Sequence, residues 1–314
     1  MRKGVIMKLS RRDFLKYCVA SAAALGLDNS ALGRLEKALA GGGPTVIWLN
    51  GANCTGCTVS LANRVATSGT VPNVSDPSDL PDLLINHIDL AFHPNLMGAA
   101  GDLAVANLEQ AVAKGNYILA IDGGIPTAFD GHVCMLWTDS FGNEVTALDA
   151  VQSLAPGAAK VLSIGTCASF GGIPAGNPNP TQIQSVKTVS GRQDTINIPG
   201  CPPHPDWIVW TIAQLLAGKS PALDSWGRPS TLFAKKVHDR CPRKERDEAK
   251  TFGIEGACLK ELGCKGPETK ADCPDRLWNN KTNWCVGANA HCLGCTESGF
   301  PDKFSPFYKR ENED

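Results

Sequence analysis

The chain of 314 residues contains no glycine-rich phosphate fingerprint and no P-loop lysine, which removes the usual sequence grounds for a nucleotide ligand. No apolar run approaches the roughly 20 residues that a spanning helix needs. Tyr17 to Leu27 is much shorter and only modestly apolar, so no intrinsic membrane anchor is expected in the mature chain. Internal repeats and low-complexity runs are missing too. So is a basic surface. The net charge is −1, but residues 1–40 carry eight Lys and Arg against three Asp and Glu, leaving 22 basic and 28 acidic residues, a net charge of −6, in the rest. Such a body argues against nucleic acid as a partner, because phosphate binding draws on a basic surface. The last shortage is local. From His238 to Cys295 there is little apolar periodicity, and a segment of that kind is expected to bury too little hydrocarbon to hold itself together.

What is present is cysteine: thirteen in all, far above a normal cytosolic count, in a chain too long for a disulfide mini-scaffold. Seven of them (Cys241, Cys258, Cys264, Cys273, Cys285, Cys292, Cys295) and two histidines (His238, His291) fall in that aperiodic stretch. Disulfides, zinc or iron–sulfur clusters are the candidates for tying it down. At the other end, Ser10-Arg11-Arg12-Asp13-Phe14-Leu15-Lys16 reads as a twin-arginine export signal, with an A-x-A cleavage site at Ala38-Leu39-Ala40 before Gly41. Residues 1–40, including Cys18, are therefore set apart from the fold, and the mature chain is expected in the periplasm. The twin-arginine route resembles the one used by proteins exported folded, with their cofactors already inside.

From residue 44 the pattern becomes α/β. Short apolar, β-branched runs at 45–49, 88–92, 117–121, 161–164 and 195–198 predict strands. Helical patterns at 102–114 and 146–154 lie between them, and 206–216, ended by Gly218, closes the unit. That alternation means a parallel, doubly wound sheet. The residues after three of the strands are Cys54-Thr55-Gly56-Cys57, Gly165-Thr166-Cys167 and Gly200-Cys201. Parallel strands bring their carboxyl ends to one edge, so Cys54, Cys57, Cys167 and Cys201 are expected to converge there as a Cys₄ site for zinc or a cluster. One close pair joined to two distant singles favours the cluster. The organisation expected is 1–40 export signal, 41–218 α/β unit and 219–314 irregular unit.

These residues resemble the small subunit of nickel–iron hydrogenases, through Cys54-Thr55-Gly56-Cys57, Gly165-Thr166-Cys167-Ala168, Pro199-Gly200-Cys201-Pro202-Pro203-His204-Pro205, His238-x-x-Cys241 and Cys292-Leu293-Gly294-Cys295. The resemblance implies a flavodoxin-like domain followed by a mostly irregular iron–sulfur domain. It implies a proximal [4Fe–4S] cluster on Cys54, Cys57, Cys167 and Cys201, and a distal [4Fe–4S] cluster on His238, Cys241, Cys258 and Cys264. Cys273, Cys292 and Cys295 match the medial ligands. Many relatives have proline at the fourth medial position and a [3Fe–4S] cluster; Cys285 stands here instead, which implies a medial [4Fe–4S] cluster. That trait, like Phe92-His93-Pro94, resembles the nickel–iron–selenium branch. Asn53 stands where the common type has Glu, so any role of that acid does not carry over. Oxygen-tolerant relatives add two cysteines around the proximal cluster, and the matching positions here are Gly56 and Gly172.

The resemblance further implies a large-subunit partner holding the Ni–Fe centre where H₂ reacts, and an external acceptor such as a c-type cytochrome. Two rivals have a different character: a cluster subunit of a quinone-linked or energy-converting complex, which shares the proximal unit, and a zinc-bearing structural protein. Of the remaining residues, His204 is placed by sequence to donate to a cluster sulfur, while His87, His93 and His132 read as structural. His291 reads as a neighbour of the medial ligands and Cys134 as an inert, buried thiol.

Overall fold

The computed structural model describes residues 43–64, 80, 83–84 and 88–308. The export segment at 1–40, with Cys18, and His87 lie outside the described residues.

The five predicted strands form one sheet: β1 (Thr45–Asn50), β2 (Asp89–Phe92), β3 (Ile118–Asp122), β7 (Lys160–Ile164) and β9 (Ile196–Ile198). Their order is β2-β1-β3-β7-β9 and every pairing is parallel. This is the flavodoxin-type doubly wound order, with its reversal between β1 and β3. Two ribbons complete the strands: β4 (Ile125–Pro126) pairs with β8 (Ile183–Gln184), and β5 (Met135–Thr138) with β6 (Glu144–Thr146). The helices are α1 (Gly56–Ala62), α2 (Asp102–Lys114), α3 (Ala147–Leu154), α4 (Gly165–Phe170), α5 (Val186–Ser190) and α6 (Pro205–Leu216), with single turns α7 (Val237–Arg240) and α8 (Cys273–Arg276) in the irregular part.

Period-2 alternation decides which face each side chain serves. Ile47 and Leu49 of β1 and Leu119 and Ile121 of β3 face α2 and α3, whose Leu108, Ala111, Ala150 and Val151 belong to the same buried cluster. Helix α3 starts where it does because Thr146 and Asp149 form a reciprocal capping box. On the opposite face, Val46, Trp48, Ile118, Ala120, Leu162 and Ile164 pack with Leu61 of α1 and Trp207, Ile208 and Ile212 of α6. That second core does not stop at the sheet. Leu232, Phe233, Val237, Leu259, Leu262, Trp284 and Val286 are buried in it as well. The stretch expected to lack a core therefore shares one, and this corrects the sequence expectation. Irregular backbone hides its apolar residues from any periodicity count, but a ready-made sheet face gives them somewhere to pack. Arg228, almost wholly buried, fastens the same junction through Asp224 and Glu297. Among the described residues no helix is long and apolar enough to cross a membrane.

His93 is structural, as expected. It is fully buried, stacks on Trp48 at 5.1 Å between ring centroids, and accepts the Asn95 N–H at Nδ1. Burial pushes its pKa down to about 4. Below the ordinary histidine value the unfolded chain takes up a proton that the fold refuses, so stability is present at neutral pH and drains away as the pH falls from about 6.5 towards about 4. Between pH 7 and pH 5 this group alone is expected to cost about 2 kcal/mol. Comparing melting of wild type and His93→Phe at the two pH values measures it; equal acid sensitivity in both would refute it.

Candidate metal centres

The first site forms at the sheet's reversal point. The turn after β1 delivers Cys54 and, on the first turn of α1, Cys57; α4 after β7 delivers Cys167; the loop after β9 delivers Cys201. Burial pushes the Cys57 thiol far up, and the charges of Asp122, Cys167 and Cys54 add to it. Cys167 is pushed up to about 12 by burial, then by Cys201, Asp122 and Cys54. Cys201 is raised by burial and by Cys54. Each of the four sulfurs is thus within electrostatic reach of at least one other.

Glycine makes the room. A Cβ on Gly165, whose φ is +85°, would sit 2.5 Å from the Cys57 sulfur; one on Gly172, at φ +57°, would sit 2.9 Å from that of Cys167. A Cβ on Gly56 would lie 3.1 Å from the Cys54 sulfur. Gly56 and Gly172 therefore abut the sulfurs of Cys54 and Cys167.

Sequence reasoning missed Asp122. It ends β3, is 1% exposed and lies beside Cys57, Asn53 and Thr58; burial lifts its pKa to about 6, and its Oδ2, like Asn53 Nδ2 and Thr58 Oγ1, is buried without a hydrogen-bond partner. A charged residue closing an otherwise apolar strand ahead of Gly123-Gly124 was the available signal. Asn53 also accepts the Thr55 N–H. It shapes the loop.

The second group comprises Cys273 on α8 with Cys285, Cys292 and Cys295. Burial pushes Cys273 and Cys292 each to about 12 and Cys295 well above the ordinary thiol value. The charge of Cys285 contributes to all three, so the structure brings it to the other members. In this group the Cys292 thiol donates to Thr269 Oγ1 at 3.5 Å, and Trp278 beside Cys273 and the Cys201 backbone beside Cys295 partly offset the rise of those thiols.

The third group lines a small cavity shared by His238, Cys241, Cys258 and Cys264, with Arg243, Lys260 and Gly266. The His238 amide donates to Gly266 O at 3.0 Å, fixing the turn that presents the ring.

Hydrogen bonds link the three groups in series. Thr166 accepts the Gly200 N–H at 2.9 Å and donates to the Cys295 carbonyl, joining first to second. The Cys292 amide donates to the Cys264 sulfur at 3.3 Å, joining second to third.

All twelve described cysteines are free, so no disulfide holds the described residues together. Among the described residues no group of three or more His, Cys, Asp or Glu is set to hold a single metal ion. Burial opposes bare thiolates, and metal coordination removes that opposition by displacing the thiol proton. The donor sets fit iron–sulfur chemistry.

His204 does not reach a sulfur, contrary to expectation. Its Nδ1 accepts the Asp206 N–H as the N-cap of α6, and its Nε2 hydrogen-bonds the Leu277 carbonyl at 2.8 Å, so both ring nitrogens are used. His291 contacts the Phe252 ring at 6.1 Å, and its Nε2 is buried without a hydrogen-bond partner. His132 lies 3.0 Å from the Phe129 carbonyl, and half-buried Cys134 packs against the α2–α3 core with its thiol raised by burial.

Residues 233–308 match the family formed by the C-terminal part of the NiFe/NiFeSe hydrogenase small subunit. The periplasmic [NiFeSe] hydrogenase small subunit of Desulfomicrobium baculatum is 39% identical over 97% of this chain and 100% of its own length. The chain belongs to the nickel–iron hydrogenase small subunits. The periplasmic [NiFe] hydrogenase small subunit of Solidesulfovibrio fructosivorans is 38% identical over 96% of this chain and 93% of its own. In three dimensions this small subunit matches the recombinant [NiFeSe] hydrogenase from Desulfovibrio vulgaris Hildenborough with a TM-score of 0.77 and 38% identity, covering 85% of this chain and 98% of that one. Residues 54–215 also match the family of the NADH ubiquinone oxidoreductase 20 Kd subunit. That span holds the first cysteine group, and the hydrogenase-specific span holds the other two. A hydrogenase small subunit is the iron–sulfur, electron-transfer half of a heterodimer whose large subunit reacts with H₂.

Proposed function

We propose that this small subunit relays electrons through three [4Fe–4S] clusters: proximal on Cys54, Cys57, Cys167 and Cys201, medial on Cys273, Cys285, Cys292 and Cys295, distal on His238, Cys241, Cys258 and Cys264. The observation that carries the reading is the serial arrangement of the three donor groups, each hydrogen-bonded to the next. Bound clusters would supply one-electron steps. The chain's part is to hold them by thiolate and imidazole, to bury them, and to aim N–H and O–H donors at their sulfurs, all of which tune potential. The proximal group opens on an edge with exposed Val59 and Ile173, and we assign that edge to the large subunit. The acceptor on the distal side is a c-type cytochrome or a similar carrier. The domains divide at residues 218 and 219. Export follows the twin-arginine route into the periplasm, a reading supported by the Ser10–Lys16 motif and by relatives named as periplasmic.

Iron and acid-labile sulfide analysis of the purified heterodimer, with EPR, tests the assignment. Zinc in place of iron, without a cluster signal, would end it. The medial assignment has its own test. Oxidised wild type is expected to lack a strong [3Fe–4S] signal and the Cys285→Pro variant to acquire one; a strong signal already present in the wild type would make Cys285 a bystander.

A further inference from the structure

His204 caps α6 with one ring nitrogen, and the other reaches the segment that carries Cys273. Nδ1 accepts the Asp206 N–H at 3.1 Å, so the proton of the neutral ring sits on Nε2, which donates to the Leu277 carbonyl at 2.8 Å. Leu277 ends α8, the four-residue turn that begins at Cys273, and its own N–H donates to the Cys273 carbonyl at 2.9 Å. Its backbone is strained. At φ +60° and ψ 158° it occupies a region that residues other than glycine keep only when their surroundings hold them there. Asn279, Asn280 and Lys281 follow at positive φ. The opposite end of the turn is held from the same helix. Trp207, fully buried, donates its indole N–H at 2.8 Å to Asp272, the residue just ahead of Cys273. Arg276 ties the two sides together, bonding Asp272 and, at 3.1 Å, Asp206. The Trp278 ring packs edge-on against His204, 4.8 Å between centroids, and against Trp207 at 6.1 Å. Four residues are too few to sustain a helical turn by themselves. Cys273 therefore stands where α6 puts it.

We infer that His204 and Trp207 are positioning residues for Cys273, so that the helix after the Cys201 loop sets where the second site stands relative to the first. The inference rests on the cluster reading of both sites and adds what fixes their spacing. Each residue acts through a group that flanks Cys273, the Leu277 carbonyl on one side and the Asp272 carboxylate on the other. Partners of this kind fix the direction of a ligand, and losing one weakens the hold on metal. Thr166 ties Cys295 to the first site in the same way, from α4.

Two substitutions in the intact heterodimer separate the two ring nitrogens. His204→Asn offers an amide oxygen at the Nδ1 position and keeps the cap, but is too short to reach Leu277. His204→Gln extends an amide to the Nε2 position and gives up the cap. EPR of the oxidised enzyme reads the second site, where a loosely held cysteine lets one iron go. His204→Asn is expected to raise the [3Fe–4S] signal roughly 10-fold over wild type, and His204→Gln to stay near it. Trp207→Phe keeps the packing, loses the donor to Asp272, and should behave like His204→Asn. Iodoacetamide labelling of Cys273, located by mass spectrometry, reads the same position without a cluster and should rise in the same two variants. A His204→Asn enzyme indistinguishable from wild type, or a His204→Gln enzyme equally damaged, overturns the inference, because neither follows from a role through Leu277. A wild type without iron at the second site overturns the cluster reading. Labelling of Cys273 that still separates Asn from Gln then keeps the positioning role, and labelling that does not removes it as well.

Discussion

Replacing His238 by alanine is expected to slow delivery of electrons to a protein carrier by roughly 10–100-fold, while H/D exchange at the large subunit stays near the wild-type rate. His238 and three cysteines share one cavity, in the last of three groups counted from the sheet edge. Exchange needs only the large subunit's centre, whereas carrier reduction needs every step of the relay. An imidazole in place of a thiolate leaves the site one negative charge less, which favours the reduced state and makes it a sink for electrons arriving from within. A His238→Cys variant restores a fourth ligand and should recover part of the rate at a lower midpoint potential. Equal loss of exchange and carrier reduction in the alanine variant would contradict a terminal relay position.

Replacing Gly165 by alanine is expected to abolish the first site altogether. Two costs coincide. The residue sits at φ +85°, in the left-handed region, where a side chain adds roughly 1–2 kcal/mol. The new methyl would also stand 2.5 Å from the Cys57 sulfur and 3.5 Å from the Gly200 carbonyl, so one of the ligands has to move. The expected product has lost the iron of the first site and reduces a carrier under H₂ more than roughly 100-fold more slowly, beyond the usual range for a supporting residue. Gly142→Ala is the matched control: φ is +87°, and nothing lies within 4 Å of its built Cβ. It bears the conformational cost without the collision and should keep its iron. If both variants lose iron equally, crowding at Cys57 is not the reason.

The parts of this molecule that could be read from sequence are those whose cause is local. Runs such as Thr45–Leu49 and Val161–Ile164 announce strands through β-branched and apolar side chains, and parallel pairing then requires Cys54, Cys167 and Cys201 to meet at one edge. What could not be read depends on contacts distant in sequence. Thr166 lies in an unremarkable strand-to-helix turn, but joins Gly200 to Cys295, 129 residues away. Asp122 acquires its raised pKa only once the turn after β1 folds over it. His204, flanked by prolines and close to Cys201, invited a role at the cluster; its position just ahead of Pro205 makes it a helix cap. Nor does spacing disclose that Phe233 and Trp278 lie against Trp207, since the backbone between them keeps no regular period.

That shared hydrophobic face sets a schedule for making the protein. Synthesis runs from the amino end, so Val46, Trp48, Ile118 and Leu162 are made long before Leu259, Leu262, Trp284 and Val286, the residues that cover them. Helices α1 and α6 cover part of that face once residue 216 has been made, but the rest stays exposed to water until nearly the whole polypeptide has left the ribosome. During that interval the first cysteine set is already available, while Cys295, the partner of Thr166, is not. Closure of the apolar face and closure of the relay are therefore one late event, and iron delivered before it meets an open sheet edge rather than a finished site.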